Sequence, residues 1–222
     1  MNGFSNNWET EWDRRTSYPE WPWTDLVSKV NRYTDIGPGD AVLELGCGAG
    51  ANVPFFRDLG VNYYGIEGSE QAVTKLTKRF RELKANIAIG DFTAEIPFEK
   101  QFDCVVDRSA LTTNSTEAIT ACLKLVSDVL RPGGKVITVD MFSTEHSAYE
   151  QGQKGVDTFT RVGFEEGVFA NLGEIHFCSE GHVRDLFGTR FDLQHLEHKI
   201  KTQVVPKEKY QHAAWDVVAA KI

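Results

Sequence analysis

Val42-Leu43-Glu44-Leu45-Gly46-Cys47-Gly48-Ala49-Gly50 is the stretch that decides the fold. A short apolar run leads into three alternating glycines, and a helical pattern follows. Glycine allows a tight backbone turn and lets a ligand approach the chain without meeting a Cβ atom. In an open α/β sheet such a turn lies at the carboxyl end of the first strand, where ligands bind. The motif admits more than one ligand. Gly46-x-Gly48-x-x-Ala51 also fits the dinucleotide fingerprint, since alanine can take its third position, and an acidic residue at the end of the second strand, Glu67, suits either reading.

Outward from this stretch, apolar strands and amphipathic helices alternate. Strands are expected at Ala41–Leu45, Val61–Ile66, Asn86–Ile89, Phe102–Val106 and Lys135–Val139, the last opened by the Pro132-Gly133-Gly134 turn. Helices are expected at about Ala51–Leu59, Ser69–Leu83 and Glu117–Leu130, and before them at Thr24–Tyr33 with Thr24 as its cap. A short helix at Ser179–Phe187 precedes two final strands, Phe191–Ile200 and Trp215–Ala220. The alternation specifies a Rossmann-like, doubly wound α/β sheet, mostly parallel, with a C-terminal antiparallel strand pair. We expect one domain over residues 1–222. Its parts are an N-terminal strap or cover (1–35), a core (36–141), an aperiodic insert (142–176) and the terminal helix and strand pair (177–222). A segment as long and irregular as 142–176 is usually a functional insert or lid. In the first 25 residues Trp8, Trp12, Tyr18, Trp21 and Trp23 crowd around Arg14 and Arg15, and Pro19 and Pro22 argue against regular structure.

Composition narrows the function classes. The 222 residues are 41% hydrophobic and 25% charged, ordinary globular values. The formal net charge of -8 opposes nonspecific binding to nucleic acid or anionic membrane. The basic cluster Lys75, Lys78, Arg79, Arg81 and Lys84 alternates with apolar residues and reads as a solvated helix face. No apolar run suits a membrane span, and the first residues lack the pattern of a signal peptide, so a cytoplasmic location is expected. Cys47, Cys104, Cys122 and Cys178 form no CxxC pair, which gives no reason to expect a disulfide framework or a metal site.

Five motifs in sequence resemble those of class I S-adenosylmethionine-dependent methyltransferases. Glu44-Leu45-Gly46-Cys47-Gly48-Ala49-Gly50 resembles the first motif, an acidic residue followed by GxGxG. Gly65-Ile66-Glu67-Gly68-Ser69, Gly90-Asp91-Phe92, Phe102-Asp103-Cys104-Val105-Val106-Asp107 and Leu130-Arg131-Pro132-Gly133-Gly134-Lys135 resemble the following ones. The resemblance covers about residues 36–141. It implies S-adenosyl-L-methionine as cofactor, S-adenosyl-L-homocysteine as product, and a cofactor site of Glu44, Gly46, Cys47, Gly48, Gly50, Asn52, Glu67, Gly68, Asp91, Phe92 and Asp107. Glu67 would accept hydrogen bonds from the vicinal ribose hydroxyls, Asp91 from the adenine amine, and Phe92 would pack on the purine. Glu44 and Asp107 would lie near the methionine end; Asn52 would contact the cofactor or cap its helix.

The acceptor is a small molecule in this reading, methylated at oxygen, nitrogen or carboxylate by direct in-line displacement. The fourth strand ends in Asp107-Arg108-Ser109-Ala110-Leu111 rather than an Asn-Pro-Pro-Tyr type of motif, which argues against DNA adenine or protein glutamine targets. Candidate catalytic residues are Asp107 and His146, the latter as a base with an ordinary pKa near 6.5. Arg108, Trp12, Arg14 and Arg15 are candidate substrate contacts, while His176, His182 and Arg184 are assigned to structure. Two alternatives stand beside this: a nicotinamide-dependent oxidoreductase, which accounts less well for Glu44 and Gly90-Asp91-Phe92, and a non-catalytic cofactor-binding module. The oligomeric state is not legible in the sequence.

Overall fold

The computed structural model describes residues 6–14 and 18–222. Its centre is a seven-stranded sheet of order β3-β2-β1-β4-β5-β10-β9. The strands are β1 (Ala41–Leu45), β2 (Asn62–Glu67), β3 (Ile87–Ile89), β4 (Phe102–Arg108), β5 (Leu130–Phe142), β9 (Phe191–Thr202) and β10 (Gln211–Lys221). The first five run parallel, and β10 is antiparallel to both β5 and β9. β1 is buried at every position, as a strand covered on both faces must be. The helices are α1 (Asn6–Arg14), α2 (Thr24–Tyr33), α3 (Val53–Asp58), α4 (Glu70–Arg79), α5 (Thr116–Val129) and α6 (Glu180–Phe187). Leu26 and Val30 of α2, Val53 and Phe56 of α3 and Leu76 of α4 form the core on one face of the sheet. Ile119, Leu123 and Val126 of α5 pack with Val183 and Phe187 of α6 on the other. The order of strands along the sheet reverses between β1 and β4, which opens a crevice beyond their carboxyl ends.

The structure departs from the sequence reading in four places. The tryptophan-rich start contains a helix, α1, and Pro19 and Pro22 follow it rather than prevent it. Thr24 is not a cap: Trp23 holds the N-cap position of α2 and makes no side-chain capping bond, whereas Ser69, Ser115 and Ser179 do cap α4, α5 and α6. The segment 142–176 holds a small three-stranded antiparallel sheet of β6 (Gln153–Lys154), β7 (Thr160–Val162) and β8 (Ile175–His176). Phe164, Phe169, Leu172, Ile175 and Phe177 form its own apolar cluster, against which Trp8 and Phe142 pack. Strands of two or three residues are too short to carry a readable period. The basic face of α4 is also not wholly solvated. The Lys75 ammonium meets the Trp12 carbonyl and stands over the Trp12 ring, and Arg79 donates to the carbonyl of Glu20 at 3.0 Å.

Candidate active site

A cavity of about 520 Å³ opens at the carboxyl edge of β1 and β4. That volume lies within the usual range for small-molecule sites. Its floor is the glycine bend. Gly46 and Gly48 have φ of +62° and +52°, and a Cβ on Gly46 would stand 2.3 Å from the Cβ of Ala110. Gly50 faces inward instead, toward Leu76 and Phe80, and does not line the cavity. Glu67 ends β2 on the cavity wall. Gly48 N–H donates to its Oε2 at 2.8 Å and Ser69 N–H to its Oε1 at 3.0 Å. Burial pushes the Glu67 pKa up, opposed by the backbone N–H groups of Ser69, Gly48 and Gly68. Each carboxylate oxygen has capacity for about two hydrogen bonds, so both keep room for a ligand hydroxyl.

Glu44 is fixed from two sides. Asn52 Nδ2 donates to its Oε1 at 2.8 Å and the Tyr63 hydroxyl to its Oε2 at 2.6 Å. Burial dominates and raises its pKa to about 7. Asn52 stands at the N-cap of α3 without a capping bond; its Oδ1 accepts from Trp23 N–H at 3.1 Å. One amide thus joins β1 to the N-terminal segment. Cys47, Gly68 and Phe92 also line the cavity.

Besides Gly50, three expected site residues stand off from it. Asp107, at the end of β4, is fully buried, and its Oδ1 accepts from the Ala110 and Leu111 N–H groups at 2.9 and 3.0 Å. Its Oδ2 is buried without a hydrogen-bond partner, and burial raises its pKa to about 7. It shapes the turn behind the wall. The Oδ1 of Asp91 accepts from the Thr93 N–H and hydroxyl, and the neighbouring Phe92 faces the cavity in its place. Arg14, in the last turn of α1, is exposed and outside the lining. Arg15 lies outside the described residues.

The rest of the cavity wall combines charge with aromatic surface. Arg108 lies 3.7 Å over the Trp23 ring and donates from Nη2 to Asp140 Oδ2 at 2.8 Å, while its Nε is buried without a partner. Ser109 and Asp140, on the same wall, have φ of +61° and +59° although neither is glycine. Such strain persists only where surroundings enforce it, and it collects at functional sites. Lys199 of β9 enforces it here, 2.7 Å from both Asp140 Oδ1 and Asp216 Oδ1. Burial would raise the Asp140 pKa, but hydrogen bonds from His212 and Lys199 hold it well below the usual carboxylate range.

His146 lines the cavity as expected by position, yet as a hydrogen-bond donor. Its Nδ1 accepts from Ala148 N–H at 3.1 Å. Burial, then the neighbouring His212, lowers its pKa to about 4, so the ring is neutral near pH 7. A neutral imidazole has one donor and one acceptor, so Nε2 carries the proton and donates to the Tyr210 oxygen 3.1 Å away. The base role expected of His146 needs a free lone pair, and Ala148 occupies it. The Tyr210 hydroxyl proton is then left to point elsewhere. Tyr210, His212 and Phe142 were not among the sequence candidates. Tyr210 comes from the β9–β10 connection and His212 from the start of β10, far along the chain, with no local motif.

The match to known families falls on the same segment. The family model described as a methyltransferase domain matches residues 42–134. Solved structures share its architecture. A SAM-dependent methyltransferase from Methanosarcina mazei superposes with a TM-score of 0.69 at 17% identity, over 87% of this chain and 96% of that one. Geranyl diphosphate C-methyltransferase from Streptomyces coelicolor A3(2), in complex with S-adenosyl-L-homocysteine, gives 0.63 at 14% identity, over 90% and 76%. Magnesium protoporphyrin IX methyltransferase from Synechocystis PCC 6803, with bound SAM, gives 0.56 at 15% identity, over 97% and 80%. At these identities the likeness shows the fold. The comparison with curated proteins finds no match. No helix among the described residues is long and apolar enough to cross a membrane. The glycine bend, Glu67 and Phe92 all lie within the matched segment, whereas Trp23, His146 and Tyr210 close the cavity from outside it.

Proposed function

We propose that this protein transfers a methyl group from S-adenosylmethionine to a small molecule by direct in-line displacement. The observation that carries the reading is Glu67, a buried carboxylate on the wall of the cavity whose floor is the Gly46–Gly48 bend. The residues fit the cofactor chemically. A carboxylate suits a vicinal diol, the Phe92 ring suits a flat base, and the glycine backbone that lines the cavity at residues 46–48 suits an amino-acid moiety. S-adenosylmethionine would supply an electrophilic methyl whose leaving group is a neutral thioether. Glu67 would hold the ribose and Phe92 the adenine, with Asp91, bonded to Thr93, fixing the turn that presents Phe92. Glu44, held by Asn52 and Tyr63, and the loop amides would position the methionine end. Asp107 would act through the Ala110 and Leu111 amides, as a positioning residue.

On the acceptor side Arg108, Trp12 and Trp23 would bind the substrate with Phe142, Phe169 and Ile175, and residues 142–176 would set specificity. This lining suits a small molecule with an apolar body and a hydrogen-bond-accepting group, which the Tyr210 hydroxyl and Arg108 Nε would receive. The two neighbours with named substrates act on a prenyl diphosphate and a porphyrin, compounds of that general kind. With the lone pair of His146 occupied, the site would work by alignment and water exclusion. Alignment alone can supply roughly 7–11 kcal/mol. An acceptor that must lose no proton, such as a carboxylate, suits it best. The acceptor-side residues share one cavity with Glu67, which favours an enzyme over a passive module. Isothermal calorimetry tests the reading: S-adenosylhomocysteine should bind with one site per chain and NADH should not. Tight NADH binding without S-adenosylhomocysteine binding would move the protein to the oxidoreductases.

A further inference from the structure

On the far side of β8 from the cavity, His176, Cys178 and His182 bring one ligand atom each within 4.8 Å of one another, and all three are buried. Ile175 faces the cavity, so its neighbour His176 faces away from it, as alternation along a strand requires. We propose that these three side chains form a binding site for one divalent transition-metal ion of the zinc type. Two imidazoles and a thiolate are the donor set such an ion prefers, and three protein ligands leave a fourth position for water or another small ligand.

The surrounding hydrogen bonds prepare the site. The Thr160 hydroxyl donates to Asp157 Oδ2 at 2.9 Å, so its oxygen is the acceptor for His176 Nδ1, 3.2 Å away. His176 therefore carries its proton on Nδ1 and presents the Nε2 lone pair to the cluster. A carboxylate–hydroxyl chain behind a histidine is the support that orients a metal-binding imidazole. Asp157 is itself fixed by the N–H groups of Thr116, Phe159 and Thr160 at 2.8 to 2.9 Å. Cys178 is anchored at both ends: its N–H donates to the Phe142 carbonyl at 2.7 Å, and its carbonyl accepts from Thr144 N–H and Trp215 Nε1. His182 sits in the first turn of α6, held by its own N–H to the Ser179 hydroxyl and by the Phe159 ring stacked 3.7 Å from its own.

The two Nε2 atoms stand 3.0 Å apart. Ligand atoms on a tetrahedral zinc ion are about 3.3–3.8 Å apart, so occupancy needs side-chain shifts of no more than about an ångström. The protons balance. Cys178 loses its proton to solvent, and His182 carries its proton on Nδ1 instead of Nε2. One proton is released per ion, and affinity falls with falling pH. A bound ion would pin β8, and with it the 142–176 segment, to α6. The sequence spacing hides the site because its ligands straddle a strand end and a helix start.

The test needs no methyl acceptor and is independent of the proposed activity. Chelator-treated protein is titrated with Co2+ and, separately, melted with and without Zn2+. Saturation at one equivalent is expected, with a near-ultraviolet thiolate-to-cobalt band. At a hundredfold excess over Kd, Zn2+ should raise the Tm by roughly 5–10 °C. Cys178→Ser should abolish the thiolate band and His182→Gln should remove the Zn2+-dependent rise, each with an unchanged far-ultraviolet spectrum. Absence of saturable one-equivalent binding, or binding unchanged in both variants, overturns the proposal. If neither variant folds, the wild-type titration decides, because Co2+ without a thiolate band excludes Cys178 as a ligand.

Discussion

Gly46 combines a φ of +62° with a Cβ position 2.3 Å from Ala110. Backbone strain at a non-glycine residue there adds to overpacking against the β4 turn. Gly46→Ala should therefore destabilise the protein by about 2–4 kcal/mol, measured by chemical denaturation. Asp107 gives a pH signature. Burial sets its folded pKa at about 7, above the value of about 3.9 in an unfolded chain. Between these values the native state binds more protons than the unfolded one. Its contribution to stability is thus fully present below the unfolded pKa and is lost as pH rises through the folded one. Asp107→Asn should gain stability relative to the wild type between pH 5 and pH 8, read as Tm at each pH. A difference that is flat or of opposite sign would show that Asp107 is not a buried, high-pKa acid. At this scale the sequence is informative where chemistry is local. Glu44, Gly46, Gly48, Glu67 and Phe92 were legible from one motif and its neighbours. Tyr210 was not, because only the folded chain brings it within 3.1 Å of His146, 64 residues earlier.

Between elements, one charge cluster joins β5, β9, β10 and α2. Lys199 holds Asp140, Asp216 and Asp25, and Lys29 meets Glu197 and Asp216. Removing one partner leaves buried charge uncompensated. Lys199→Met should cost on the order of 3 kcal/mol, a fall in Tm of roughly 6–12 °C. It should also release the strained Asp140 backbone beside Arg108. α1 makes a different claim. Trp12 stands 3.1 Å from where a Gly48 Cβ would be, and Lys75 lies over its ring. If α1 is part of the ligand site, Trp12→Ala should weaken S-adenosylhomocysteine binding about tenfold, through lost aromatic contact; an unchanged Kd would make α1 a strap alone. The helix has a signal that composition obscured: Trp8 and Trp12 are an i, i+4 pair on one face. The prolines that seemed to break it lie beyond its end.

For the whole molecule, the doubly wound, mostly parallel sheet and its antiparallel C-terminal pair follow from alternating apolar strands and amphipathic helices, and both were readable. The chain length between β5 and α6 was readable as an insert, but its small sheet was not. Its stability comes from clustering of Phe164, Phe169 and Phe177 rather than from periodic strands. The molecule thus places a motif-encoded glycine floor against a cavity roof contributed by distant segments. That division explains why the floor is more sharply specified in the sequence than the roof. A crystal structure with S-adenosylhomocysteine tests the account most directly. It should show the Glu67 carboxylate on the ribose hydroxyls, the homocysteine over residues 46–48, and the sulfur facing the space before Arg108 and Tyr210. A ligand seated elsewhere, or a ribose without contact to Glu67, would contradict it.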